Sequence, residues 1–189
     1  MSKDSTDEVN FAAVSGKAEL FCFEWIELIS QSLIVVAFVM AFAFRPFTID
    51  GSSMRDTLYD RDKVIVKKWD FVPHNGDVVV IRRYRELDAP IIKRVIATEG
   101  QELEIDFQTG SVFVNGEKLN ENYIKEPMRR RGDAEIPKVI PKGFTFVMGD
   151  NRNNSTDSRW NMVGLVDNSY IVGKAVCVYF PFYRIGMIR

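Results

Sequence analysis

One histidine, His74, and two cysteines, Cys22 and Cys177, are spread through 189 residues. Each scarcity removes a class of chemistry. A zinc centre needs several His or Cys ligands, so no metal site of that kind is expected, and no cofactor. A Ser-His-Asp triad would have to use His74. That residue stands in Pro73-His74-Asn75-Gly76-Asp77, a turn, and turns lie at the surface. Charge of one sign is also missing: 25 Lys+Arg face 26 Asp+Glu, a net −1. Nothing in that balance calls for nucleic acid as a partner. Walker and dinucleotide loops are absent, and no two acids stand out as a catalytic pair. The chain has a single long apolar run. If that run spans a membrane, Cys22 and Cys177 cannot meet, and no disulfide is expected.

What is present starts with that run. Residues 1–24 are mostly polar and lack clear periodicity, which predicts a flexible tail. Leu33 to Phe44 is uninterrupted apolar sequence. Extended back to Trp25 it gives about 20 residues, or roughly 30 Å of helix, the thickness of a bilayer core. Trp25 and Arg45 suit interfacial anchors, and Pro46 stops the helix. A membrane anchor over 25–45 is the first reading. A cleavable signal peptide, with Ala41-Phe42-Ala43 as its small-x-small site, and a buried core helix are its rivals. Lysines and arginines around the run do not fix its orientation.

Residues 46–189 read as mainly β. Val64-Ile65-Val66 alternates in part. Val78 to Ile81 is a continuous β-branched run, the mark of a buried strand. Ile91 to Ala97 is a second, interrupted only by Lys93-Arg94. Leu103, Ile105 and Phe107 alternate with polar residues. Val112-Phe113-Val114, Asn115-Gly116 and Glu117-Lys118-Leu119 predict a tight hairpin, since Asn-Gly suits the primed turn. A less regular insertion covers 108–142, and Arg129-Arg130-Arg131 within it reads as a solvated loop face. Phe144 to Met148 is another strand, and Tyr170 to Phe180 a long last one. With 46% hydrophobic residues and 14 Phe, a packed core is within reach.

Two stretches can carry chemistry. Phe47-Thr48-Ile49 runs into Gly51-Ser52-Ser53-Met54. Gly51 permits a sharp turn that presents a hydroxyl at a strand's end. Lys93 shares a strand face with Ile91 and Val95, while Ile92, Arg94 and Ile96 share the other. An amine held against an apolar face loses hydration, which lowers its pKa, and a neutral amine can take a proton from a serine. The alternative for Lys93 is an edge lysine reaching water.

Gly51-Ser52-Ser53-Met54, Ile92-Lys93-Arg94-Val95 and Gly149-Asp150-Asn151-Arg152-Asn153-Asn154-Ser155-Thr156-Asp157-Ser158-Arg159 occur in this order behind an apolar run. Asn75-Gly76-Asp77-Val78-Val79-Val80 adds a further match. Together they resemble bacterial type I signal peptidases, membrane-bound Ser/Lys proteases, from the anchor to Phe180.

The resemblance implies an antiparallel, partly barrel-like catalytic domain behind one transmembrane helix. It implies Ser53 as nucleophile and Lys93 as general base. Ser155 would orient the amine. Asp157 and Arg159 would support the site as an ion pair, with Asp150 and Arg94 as structural neighbours. The Ser53 N–H would donate to the oxyanion. Phe47, Ile49, Met54 and Ile92 are the candidates to line the substrate pockets. The substrates would be exported preproteins, cleaved at the outer face of the cytoplasmic membrane, with membrane lipid around the anchor. Asp56 stands where the family usually has proline, and Ala97-Thr98-Glu99-Gly100-Gln101 replaces a usual Gly-x-Pro-Gly-Asp. Three rivals remain: a self-cleaving repressor of the same clan, an organellar inner-membrane peptidase, and an inactive tethered module that binds extended peptides.

Overall fold

A computed structural model describes residues 4–188. It divides into two compact units, 1–42 and 43–189. Nearly all of the first unit is a helix, α1 (Asp4–Ala43). It reaches back through the stretch read from sequence as a tail. It also ends at Ala43, before Pro46, so Arg45, read as an interfacial anchor at the end of the run, lies in a strand just beyond the helix. Phe21–Ala41 is long and apolar enough to cross a membrane. Its described side chains are exposed all round, Phe21, Trp25, Leu33 and Phe38 among them. A helix apolar on every side belongs in a hydrophobic medium or a large core.

The second unit is built from eleven strands. They are β1 (Phe44–Thr48), β2 (Lys63–Lys67), β3 (Val78–Ile81), β4 (Ile91–Thr98), β5 (Leu103–Asp106), β6 (Ser111–Val114), β7 (Glu117–Lys118), β8 (Phe144–Met148), β9 (Val166–Asp167), β10 (Ile171–Phe180) and β11 (Gly186–Met187). All pairings are antiparallel. The main sheet runs β1-β2-β10-β3-β4-β8-β9, with β11 beside β10, and β5-β6-β7 forms a second small sheet. β10 is the pivot. Lys174 faces both Lys67 of β2 and Val79 of β3, and bulges interrupt the register on either side. Such bulges bend a strand and increase its twist, which curls the sheet into a half-barrel. Asn115 and Gly116 turn the β6–β7 hairpin at φ 54° and 79°, the primed turn that Asn-Gly favours.

The apolar runs fill three cores because alternate residues point to opposite faces. On β3, Val78 and Val80 join Ile49, Met54, Leu58, Val64, Val66 and Ile92 in one. Val79 and Ile81 join Val95, Val147 and Val163 in another. Ile96, Phe146 and Met148 pack with Leu103, Val112 and Val114 of the small sheet in a third. Each such side chain contributes about 1.5–3 kcal/mol on burial. Both faces of β4 are therefore largely covered, and the lysine in its middle is left 3% exposed. The 108–142 stretch closes the third core through Met128, Ile136 and Ile140 with little regular structure.

Candidate active site

Residues after β1 descend into the first core and return. Ile49 N–H donates to Asp62 O at 2.8 Å and Arg61 N–H to Ile49 O at 2.9 Å, which closes a loop over residues 50–60. Gly51 enters that loop at φ +90°, a conformation costly for a residue with a Cβ. Its N–H is held by the Asp60 carboxylate at 2.9 Å. Met54 and Leu58 then anchor the loop in the core, 1% and 0% exposed. Ser52 and Ser53 are left at its upper edge.

The two serines have different partners. Lys93 Nζ lies 2.8 Å from Ser53 Oγ and donates also to the Ile92 carbonyl at 2.8 Å. Ser52 Oγ instead accepts from Asn154 Nδ2 at 2.9 Å. Lys93 is 3% exposed, and its pKa falls from 10.5 to about 8. Burial is the largest cause. Asp157 and then Asp150 pull the other way, and Arg159 adds a smaller push downward. Loss of hydration outweighs two nearby carboxylates, because each carboxylate is already paired with an arginine.

Those pairs are buried and bidentate. Arg94 donates from Nε and Nη2 to Asp150 at 2.8 and 2.7 Å, and from Nη1 to Gly76 O at 2.7 Å. Thr57 Oγ1 donates to the same carboxylate at 2.5 Å, tying the serine loop to the pair. Tyr123 lies under the Arg94 guanidinium at 4.1 Å. Burial, then Glu121, raises its phenol to about 12. Arg159 donates from Nε and Nη2 to Asp157, both at 2.8 Å, and Gly149 N–H donates to Asp157 at 2.9 Å. A buried guanidinium with most donors used costs far less than an isolated one.

The loop after β8 lies directly on the serines. Asn151 N–H donates to Ser53 O at 2.9 Å and Asn151 Nδ2 to Ser52 O at 3.1 Å. Gly149 permits this approach: a Cβ there would sit 2.5 Å from Ser53 O. Ser155 Oγ, expected to orient the Lys93 amine, is buried and makes no hydrogen bond among the described residues. It packs against Gly149, and the amine donates to the Ile92 carbonyl.

Ser53 and Lys93 open into a cleft of about 290 Å³. Of the four pocket candidates from sequence, Phe47 and Ile92 line it. Ile49 and Met54 do not; both are buried in the first core, 2% and 1% exposed. Pro90, Ile91, Asn154 and Thr156 complete the walls. Asn154, Thr57 and Tyr123 were missed in sequence. Asn154 lay inside the polar loop motif, but nothing local marked it apart from its neighbours. His74 is far from buried, its side chain 78% exposed.

Comparison with known proteins agrees on the family. The signal peptidase family model, peptidase S26, matches residues 22–180. A signal peptidase I P from Bacillus subtilis subsp. natto is 37% identical over 173 residues, 86% of this chain and 91% of its own. A probable signal peptidase I-1 from Synechocystis sp. is 35% identical over 180 residues, 89% of this chain and 87% of its own. A solved signal peptidase I from Enterococcus faecalis V583 is 26% identical, covers 55% of this chain and 97% of its own, and has a TM-score of 0.41. The chain belongs to the signal peptidase family and is a peptidase. Its apolar helix fits anchorage in a membrane.

Proposed function

We propose that this protein is a serine endopeptidase that removes N-terminal signal peptides from exported preproteins, with Ser53 as nucleophile and Lys93 as general base. Phe21–Ala41 would anchor it in lipid, with residues 46–189 as the catalytic domain on the extracytoplasmic side of the cytoplasmic membrane. The observation that carries the chemistry is the 2.8 Å contact between Ser53 Oγ and a lysine 3% exposed.

Near its pKa of about 8 the amine is neutral in a large fraction of molecules. Its lone pair accepts the Ser53 proton, and its own N–H stays on Ile92 O, which fixes its direction. Ser53 Oγ attacks the scissile carbonyl. The Ser53 N–H donates no hydrogen bond among the described residues and is free to receive the oxyanion. Gly51 supplies no side-chain donor of its own. The ammonium returns its proton to the leaving amine, and an acyl-enzyme remains. Lys93, neutral again, activates the water that hydrolyses it. Arg94 and Asp150, with Thr57, tie the serine loop to the 149–159 loop, Asp157 and Arg159 brace the latter, and Ser155 packs against Gly149. The substrate's residues before the scissile bond would lie extended at the strand edges, with short side chains against Phe47 and Ile92.

The test is preprotein cleavage followed by gel electrophoresis. Ser53→Ala should leave no product, and Ser52→Ala should retain cleavage. Product from Ser53→Ala would overturn the assignment, and binding without product by the wild type would favour an inactive peptide-binding module.

A further inference from the structure

The loop carrying Ser155 has two faces. Through Asn154 and Thr156 it walls the cleft at Ser53. The same two residues, with Arg130, Asp133, Trp160 and Met162, wall a second cleft of about 290 Å³. A polypeptide cleaved at Ser53 must enter on one side and leave on the other. The first cleft has an apolar wall of Phe47, Pro90, Ile91 and Ile92 beside the polar Asp50, Ser52 and Ser53, and that wall suits short side chains. A chain leaving the first cleft over the Asn154–Thr156 rim enters the second, because these residues wall both.

We infer that the second cleft receives the residues just after the scissile bond, and that Arg130 there selects an acidic side chain over a basic one. The inference rests on Ser53 as nucleophile. Arg130 belongs to the arginine run that the proposed chemistry leaves unused. Its guanidinium stacks on the Trp160 indole, 4.9 Å from the ring centre, and its Nη1 donates to Asn153 O at 3.3 Å. Trp160 is itself fixed, its Nε1 donating to Ser155 O at 3.1 Å. The guanidinium is thus held in place with most of its five donors unused. Among the described residues its guanidinium partners are a π face and a carbonyl, neither of which carries a charge to neutralise it. Asp133, which lines the same cleft, accepts from Asn161 N–H at 2.8 Å and makes no ion pair with Arg130 among the described residues, but keeps its negative charge and tempers the preference. Arg130 is exposed, so a substrate carboxylate gains modestly, as at other solvent-facing ion pairs.

The experiment uses the full chain in detergent and a set of signal-peptide substrates. They differ only in carrying Asp, Asn or Lys at each of the first few positions after the scissile bond. The wild type should prefer Asp over Lys at one of these positions by roughly threefold or more in kcat/KM. Arg130→Gln should flatten that preference and Arg130→Glu reverse it. Arg129→Glu, exposed and outside both clefts, should leave it unchanged. Equal rates for all substrates would overturn the inference, as would an Arg129→Glu effect as large as that of Arg130→Glu. Failure to cut the parent peptide, or its cleavage by Ser53→Ala, removes the nucleophile reading and this inference with it.

Discussion

Gly149 is the point where two loops come closest, and adding one methyl group there perturbs both. A Cβ would overlap Ser155 Oγ and lie 2.5 Å from both Ser155 Cβ and Ser53 O. Rotation of the Ser155 hydroxyl relieves only the first contact. The other two atoms are fixed by the backbone, so the loops must separate. Overpacking of this kind costs about 1–3 kcal/mol, and the rigidity of these atoms puts Gly149→Ala near the upper figure. Such a change lowers Tm by several degrees in a domain of this size. Activity should suffer more. Ser53 O is held by Asn151 N–H at 2.9 Å, and pushing that carbonyl away shifts Oγ from its 2.8 Å position at Lys93. Misplacement by a fraction of an ångström costs roughly 10- to 100-fold where a proton must pass between the groups. The assay is kcat/KM on a signal-peptide substrate beside thermal unfolding in detergent. Wild-type activity with unchanged Tm would refute the account of how the two loops meet.

Lys93→Met should be inactive yet more stable than the wild type at pH 7. A folded-state pKa of about 8 against 10.5 means that the fold disfavours the charged amine. That penalty is present in full below pH 8 and disappears as pH rises from 8 through 10.5, where the unfolded chain still binds the proton. The gain from removing the amine should therefore be up to roughly 3 kcal/mol at pH 7, and should shrink by pH 10. Denaturant titrations at both pH values check it; a Lys93→Met chain less stable at pH 7 would contradict it. Asp150→Ala leaves the Arg94 guanidinium buried without its carboxylate and should cost about 3–5 kcal/mol. The double variant Arg94→Met, Asp150→Leu should recover much of that in the same titration.

How much of this was readable beforehand differs from element to element. The β-branched run at Val78–Ile81 and the Asn115-Gly116 turn were legible because their signals are local. Lys93 was legible because a charged residue between Ile91-Ile92 and Val95-Ile96 has few places to go. The depth of its burial came from coverage of β4 on both faces, which alternation along one strand does not report. Thr57 on Asp150 and Tyr123 under Arg94 were not legible. These contacts join residues far apart in sequence, through turns whose direction depends on the assembled sheet. Ile49 and Met54 were placed in the pockets by their position beside the serines, whereas both pack in the first core with Leu58, Val64 and Val66. Ser155 was expected on the amine; its hydroxyl is buried beside Gly149 without a hydrogen-bond partner among the described residues.

The protonation state of Lys93 is the most direct test. In protein carrying 13Cε-labelled lysine, the resonance missing from Lys93→Met identifies the residue, and its shift can be followed with pH. A midpoint near 8 is the predicted result. A midpoint near 10.5, that of a lysine in water, would contradict the claim that this amine is kept dry against Ser53.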